Sequence, residues 1–436
     1  MPLPASSLAD YASVAEHLVG LKSSGVRFGV ERMARLAEAI GHPERLYPVI
    51  HLAGTNGKGS VAAMLESILR AAGHRTGMYT SPHLVKLGER VQVDRRILAE
   101  EEIVAFVSEL APIARRLADD GPDEHPTFFE FMTAMAFLKF ARARVAAAVI
   151  ETGMGGRLDA TNIVTPEVSI ITSIGFDHME YLGDSLAQIA AEKAGIIKEG
   201  RPVIIGRLPA EAEHTVREIA AARNAPVHSV RATFGDDINS YPQTNLEGEY
   251  QRWNAATAVL ASRILAARFG LADDIVARGL QQVSWPGRWQ RTRVGDRVVI
   301  LDASHNLEGA AVLDANLTRL VAETGRAPVV VTGALGEYRA RALLEVACRH
   351  AREIYLVPPH TARACTYAQL EEAAPAAYRD RLRRSTVDEV FPTSDYCAIG
   401  TPGDIVVITG SLYLLGEILE RIEPGRGGQE ARLQDF

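Results

Sequence analysis

The stretch HLAGTNGKGS, His51 to Ser60, sets three glycines, a lysine and a hydroxyl residue between an apolar run and a helical pattern. Glycines let backbone N–H groups close around phosphate oxygens, a helix N-terminus adds positive potential, and a lysine supplies a point charge. Gly54, Thr55, Asn56, Gly57, Lys58, Gly59 and Ser60 therefore read as a nucleotide phosphate loop. The spelling departs from the usual G-x-x-x-x-G-K-[ST]. With Gly57-Lys58 set on its G-K, Leu52 stands at the first glycine, Gly59 takes the hydroxyl position, and Ser60 follows one residue late. The departure points away from small GTPases and ordinary P-loop kinases, toward a group with its own version of the loop.

Other residues able to do chemistry stand at strand ends. Glu151, in IETGMGGRLDATNIV, closes an apolar run, where open α/β sheets place their ligand sites; the plainer alternative is a helix cap. His178, in TSIGFDHMEYLG, leaves a second such run, although a lone histidine is more often structural. Lys193 and Lys198, in AEKAGIIKEG, read first as solvated helix ends, with Lys198 expected at the surface, and Ser81, in TSPHL, as a turn cap. Farther along come Asn254 in QRWNAATA, Arg288 in PGRWQ, and Asp302 with His305 in LDASHN; a hinge salt bridge is the plainer role for Arg288. No Ser-His-Asp or Cys-His arrangement stands out.

These residues need a scaffold, and the chain alternates short β-branched runs with longer helical patterns. Strands are expected over 48–54, 146–151, 168–174 and 202–206, with helices over 58–73 and 127–144. Apolar strands separated by helices predict a mostly parallel sheet covered on both faces. After SWPGRWQR a second series follows, over 297–306, 327–333, 353–359 and 403–410. The expected fold is α/β: an ATP-binding domain over 1–290 carrying the phosphate loop, then a smaller Rossmann-like domain over 291–436. The closing EPGRGGQEARLQDF is polar and expected to fray.

Composition narrows the class. The chain has 436 residues, 47% hydrophobic and 23% charged, an ordinary globular balance. A net charge of -7 argues against nucleic acid or a basic membrane surface as partner. Three cysteines without C-x-x-C spacing fit a reducing compartment. With no signal-peptide pattern and no apolar run near the roughly 20 residues of a membrane span, the expectation is a cytoplasmic monomer.

AGTNGKGS followed by YTSPHL resembles the dihydrofolate synthase/folylpolyglutamate synthase family of the Mur-ligase superfamily, whose wider members carry a related G-T-N-G-K-[ST]-[ST] loop. The resemblance is strongest over 25–200, with anchors at 254, 286–290, 302–306 and TGSLYLLGEI near the C-terminus. It implies ATP and magnesium, two ions, held by Ser81, Glu151, His178 and a carbamylated Lys193. It implies an ATP clamp of Asn254, Arg288, Asp302 and His305. For the acid substrate it implies one wall from Phe28, Gly29, Val30 and Glu31, another from Thr127, Phe129 and Glu130, and a pterin contact by Asp159 and Ala160. An aromatic among polar groups suits a flat pterin, whereas Phe128 and Phe131 read as core.

The chain departs from the family pattern at Ser304, at Gly88 with Asp94-Arg95-Arg96, and most at GALGEYRAR (333–341), where the family commonly shows a D-K-D run. The implied reaction joins L-glutamate to dihydropteroate or a reduced folate: a carboxylate attacks the γ-phosphate of ATP, and the amine displaces phosphate from the acyl phosphate. Lys58, Glu151, His178, Lys193 and Arg288 are its expected catalytic set. Rivals are folylpolyglutamate synthesis alone, a Mur-type ligase, for which a loop near residue 54 leaves little room for a UDP-binding domain, and an ATP-dependent switch.

Overall fold

The computed structural model describes residues 10–22, 27–423 and 434. Gly25 and Val26, just before the expected wall of Phe28 to Glu31, and all of the tail beyond Glu423 except Gln434, lie outside the described residues.

Among the described residues, the first half builds an eight-stranded sheet in the order β4-β3-β2-β5-β1-β6-β7-β8. Its strands are β1 (Val49–Ala53), β2 (Thr76–Tyr79), β3 (Val91–Val93), β4 (Arg96–Ile97), β5 (Ala147–Glu151), β6 (Val168–Ile171), β7 (Val203–Ile205) and β8 (Val227–Ser229). The run from β2 to β8 is parallel, and β3 and β4 add an antiparallel edge. The central strands β1, β5 and β6 are buried along their whole length, which is why they read as continuous apolar runs.

The second half builds a six-stranded sheet in the order β13-β12-β11-β14-β10-β9. It comprises β9 (Gln290–Val294), β10 (Arg297–Leu301), β11 (Val329–Thr332), β12 (Glu353–Leu356), β13 (Leu382–Arg384) and β14 (Ile405–Thr409). Only the β9–β10 pair is antiparallel.

Seven helices matter for the site: α1 (Glu31–Ala39), α2 (Lys58–Ala71), α3 (Phe128–Ala143), α4 (Leu186–Ala194), α5 (Glu249–Phe269), α6 (Leu307–Thr324) and α7 (Glu337–His350). Their starts are written in the sequence. Thr127 and Glu130 form a capping box at α3, Ser185 and Gln188 another at α4, and Asn306 caps α6. Helix α2 is almost wholly buried and packs beneath α5, so the phosphate loop sits on a rigid base.

The expected strands and helices are present, each shortened by a few residues. The antiparallel strands β3, β4 and β9 did not figure in the alternating pattern. Segment 87–98, where the chain departs from the family pattern, supplies that edge: Asp94 and Arg95 take positive φ (50° and 65°) in the β3–β4 turn, and Asp94 Oδ1 accepts the Thr76 N–H. Lys198 is half-buried rather than at the surface, its Nζ bonded to the Asn162 carbonyl at 2.8 Å.

Candidate active site

The C-terminal ends of β1, β2, β5 and β6 meet the end of β10 across a cleft of about 460 Å³. Helices α5 and α6 flank it, one from each half. Each predicted phosphate-loop, metal and ATP-clamp residue lines this one space: Gly54 to Ser60, Ser81, Glu151, His178, Lys193, Asn254, Arg288, Asp302 and His305. Segments more than two hundred residues apart in sequence are thus gathered at strand ends, as open α/β sheets do.

The unusual spelling of the loop has a structural reason. Gly57 caps α2 with φ 85°, a left-handed conformation that disfavours side chains, and an added Cβ would lie 2.5 Å from Asn254 Oδ1. Gly59 stands against the Trp285 ring, 2.5 Å from where a Cβ would be, so a hydroxyl residue has no room there. Ser60, one step on, is buried and accepts from Gln251 Nε2 at 3.3 Å. Lys58 Nζ curls back onto the carbonyls of Gly54 (2.9 Å) and Thr55 (3.2 Å) and lies 3.7 Å from Glu151 Oε1.

Burial tunes the charges. It pushes the Glu151 carboxyl up to about 7, against the pull of Lys58, the Ser81 N–H and Arg288. It lowers Lys193 to about 7, with Lys58 adding repulsion, while its Nζ donates to the Gly54 carbonyl at 2.9 Å. It also lowers His178 to about 4, leaving a neutral ring with a lone pair to offer. For Asp177, burial acts the other way, but His178, Arg339 and His305 outweigh it and hold the carboxyl well below its usual range.

These residues fit a divalent cation. Ser81 Oγ is buried and finds no hydrogen-bond partner, and the Ser81 N–H donates to the Glu151 carboxylate, so hydroxyl and carboxylate lie side by side. A buried carboxylate and a neutral imidazole complete a donor set that lacks only positive charge. Among the described residues no group of three or more His, Cys, Asp or Glu side chains forms a ready-made metal cluster. Glu151 and His178 are the only members of the predicted set drawn from those types.

The residues predicted to clamp ATP are fixed in turn. Asp302 accepts from the Trp289 N–H (3.1 Å), the Ser304 N–H (3.1 Å) and the Ser304 hydroxyl, so the departure at Ser304 adds a donor. His305 Nδ1 lies 2.8 Å from the Ala303 carbonyl, which requires the proton there and leaves Nε2 free to accept. Arg288 leans on the Ala303 carbonyl at 3.5 Å and pairs with no carboxylate among the described residues, so the hinge salt bridge is not formed.

A second, smaller pocket of about 50 Å³ is lined by Phe28, Gly29, Thr127, Phe129, Glu130, Asp159 and Ala160, and it shares Met154 with the cleft. Val30 and Glu31 do not line it: Val30 precedes α1, and Glu31 is exposed in the first turn of that helix. Glu130 is held by structure, accepting from the Thr127 N–H (2.7 Å) and pairing with Arg32 at 3.2 Å. Asp159 is likewise engaged by its own loop, accepting the N–H groups of Gly153, Met154 and Thr161. Phe128 and Phe131 are core, as their pattern implied.

Several cleft residues escaped the sequence reading. Glu308 accepts from Asn56 Nδ2 at 2.7 Å, and Asn306 exchanges hydrogen bonds with Asn56. Arg207 stacks over Trp253, 4.6 Å from the ring centre, at the far wall. Asp177 carried a signal, its place beside His178; Glu308, Arg207 and Trp253 carried none.

A P-loop sheet facing a second parallel sheet across this cleft defines a Mur-ligase type of ATP-dependent ligase, and residues 52–264 match the Mur ligase middle domain. The chain is 33% identical to the dihydrofolate synthase/folylpolyglutamate synthase of Bacillus subtilis (strain 168), over 95% of this chain and 99% of that one. It superposes on Escherichia coli FolC in complex with DHPP and ADP with a TM-score of 0.81 and 29% identity, covering 98% of this chain and 100% of that one. A bifunctional folylpolyglutamate synthase/dihydrofolate synthase with Mn, AMPPNP and L-glutamate bound gives 0.78 and 28%, covering 96% and 99%. The chain belongs to the dihydrofolate synthase/folylpolyglutamate synthase family.

Proposed function

We propose that the protein joins L-glutamate both to dihydropteroate and to reduced folates, at the expense of ATP bound in the large cleft. The observation that carries this reading is the gathering of Lys58, Glu151, His178, Lys193 and Arg288 in one cleft between two α/β halves. No side chain there is set up as a covalent nucleophile, and phosphoryl transfer needs none: it needs positioning and charge neutralisation.

The backbone N–H groups of residues 54–60 and Lys58 hold the ATP phosphates, and Arg288, at the junction of the two halves, neutralises charge. Asn254, Asp302 and His305 fix the rest of the nucleotide. The acid's pterin end enters the small pocket and its carboxylate points past Met154 toward Glu151. Phe28 lines that pocket and leans on Tyr181, with 5.5 Å between ring centres and 57° between the ring planes, which leaves its face available to a flat ring. Attack on the γ-phosphate gives an acyl phosphate and ADP, and the glutamate amine displaces phosphate. Closure of the halves keeps water from the acyl phosphate.

Ser81, Glu151, His178 and Lys193 would hold magnesium, two ions in the full site. Bound there, they would neutralise the charge passed between phosphate oxygens. Magnesium prefers oxygen, and carbamylation would turn Lys193 from cation to oxygen ligand. Its amine, lowered to about 7, is largely in the free-base form that adds CO2 at mildly alkaline pH.

The domain boundary is placed near residue 290, where β9 opens the second sheet. A cytoplasmic monomer is the working state; among the described residues no helix is long and apolar enough to cross a membrane. Acceptor labelled with heavy oxygen in its carboxylate tests the mechanism. The label should pass into released phosphate; phosphate without label would exclude the acyl phosphate.

A further inference from the structure

The departure at GALGEYRAR has no part in the mechanism above, yet it reaches the active site. Gly336 has φ 88° and turns the chain into α7, and the third residue of that helix is Arg339. Its Nη2 lies 2.6 Å from Asp177 Oδ1, on the opposite side of the cleft, and Asp177 is 9% exposed. Asn306, also from the second half, donates to the other oxygen of Asp177 at 3.1 Å. The same carboxylate accepts the His178 N–H at 3.0 Å through Oδ1.

His178 needs such support. It sits at φ 50°, a left-handed conformation that a non-glycine residue keeps only where its surroundings over-determine it. On one side its carbonyl accepts from the N–H groups of Tyr181 (2.9 Å) and Leu182 (3.0 Å). On the other, its N–H is held by Asp177, whose carboxylate is itself held from the second half. Among the described residues the ion pair of Asp177 comes from the second half, through Arg339, while Lys193 of the first half acts on it only at longer range.

We propose that Arg339 is a positioning residue that couples closure of the two halves to the placement of His178. When the halves part, Arg339 withdraws, Asp177 is free to turn, and His178 loses its fixed backbone. When they close, the Arg339–Asp177 pair forms and His178 is delivered to the Glu151 side of the cleft. A metal site with His178 as ligand would thus be complete only in the closed enzyme. The proposal rests on the ligase reading for its kinetic consequence but not for its structural one.

The test uses the full-length chain with Arg339→Gln, Arg339→Lys, Asp177→Asn and the double variant Arg339→Gln/Asp177→Asn. Amide hydrogen exchange over residues 178–182 should be faster in Arg339→Gln than in the native protein, and the same in Asp177→Asn. The double variant should exchange no faster than either single one, because both break one link. In turnover, kcat should fall about tenfold or more in Arg339→Gln, with KM for glutamate nearly unchanged and partial recovery in Arg339→Lys. Unchanged exchange at 178–182 would overturn the proposal, as would additive effects in the double variant. A raised KM for glutamate at native kcat would also overturn it, making Arg339 a substrate contact. Should the native protein fail to ligate glutamate, the ligase reading falls while the exchange data still decide the role of Arg339.

Discussion

The large cleft and the small pocket are built on opposite principles. In the cleft, polar groups are buried against their charge: Ser81 Oγ has no hydrogen-bond partner, and burial pushes Glu151 up to about 7 and draws Lys193 down to about 7. In the pocket, the carboxylates are tied to the fold: Glu130 caps α3 and pairs with Arg32, although its Oε1 accepts no hydrogen bond, and Asp159 ties its own loop together. A site left electrostatically incomplete is one that a ligand completes; a site whose carboxylates are spent on the fold supplies shape. Substitutions should therefore act on activity in the cleft and on stability around the pocket.

The largest expected effect is in the cleft. Glu151→Ala and His178→Ala should each lower ligation by at least about a thousandfold while circular dichroism stays native. Retained turnover in Glu151→Ala would remove the metal assignment and erase the contrast. On the pocket side, Glu130→Ala leaves Arg32, only 14% exposed, without its partner. It should cost about 3 kcal/mol in urea unfolding, because stranding one member of a buried pair is expensive. A native unfolding midpoint would show that Glu130 is kept for substrate rather than for α3.

A third prediction follows the titrations of the ligand-free protein. Glu151 is raised from the ordinary 4.5 to about 7, so its contribution to stability is complete below 4.5 and is lost as pH rises through 7. Lys193 is lowered from 10.5 to about 7, so its contribution is complete above 10.5 and is lost as pH falls toward 7. The two together make the ligand-free cleft least stable near pH 7. Thermal unfolding without magnesium should show that dip, and Glu151→Gln should remove its acid limb. Magnesium, which needs the ionised carboxylate, should bind the nucleotide complex more weakly by up to about tenfold per pH unit below 7. The smallest effect is Thr127→Ala, about 1 kcal/mol from the lost cap of α3, with unchanged kcat.

The contrast also explains what the sequence could reveal. The phosphate loop is one unbroken strand–turn–helix segment, so its residues and their chemistry were readable together. Glu151, His178 and Asp302 stand at the ends of apolar runs, and strand ends converge in a parallel α/β sheet by geometry alone. Residues whose role depends on the second half meeting the first left no such trace. Glu308 and Arg339 are ordinary helix residues until the fold brings them against Asn56 and Asp177. The acceptor wall was half legible for a related reason. Thr127 and Glu130 carry a capping signature that serves α3 as well as the pocket, and Val30 and Glu31 follow the pocket residues in sequence without lining it, Glu31 leaning back over Gly29. The edge turn within 87–98 was not legible because positive φ at Asp94 and Arg95 is not visible in a run of charged residues.

Coupling of ATP cleavage to amide formation with glutamate is what the cleft is built to do. Its most direct test is phosphate release with ATP and magnesium, with and without L-glutamate, using dihydropteroate and a reduced folate as alternative acceptors. Sustained release that requires both glutamate and an acceptor, and that proceeds with each acceptor, is the predicted result. Phosphate release at the same rate without glutamate or acceptor would contradict it and leave an ATP-driven switch in place of a ligase.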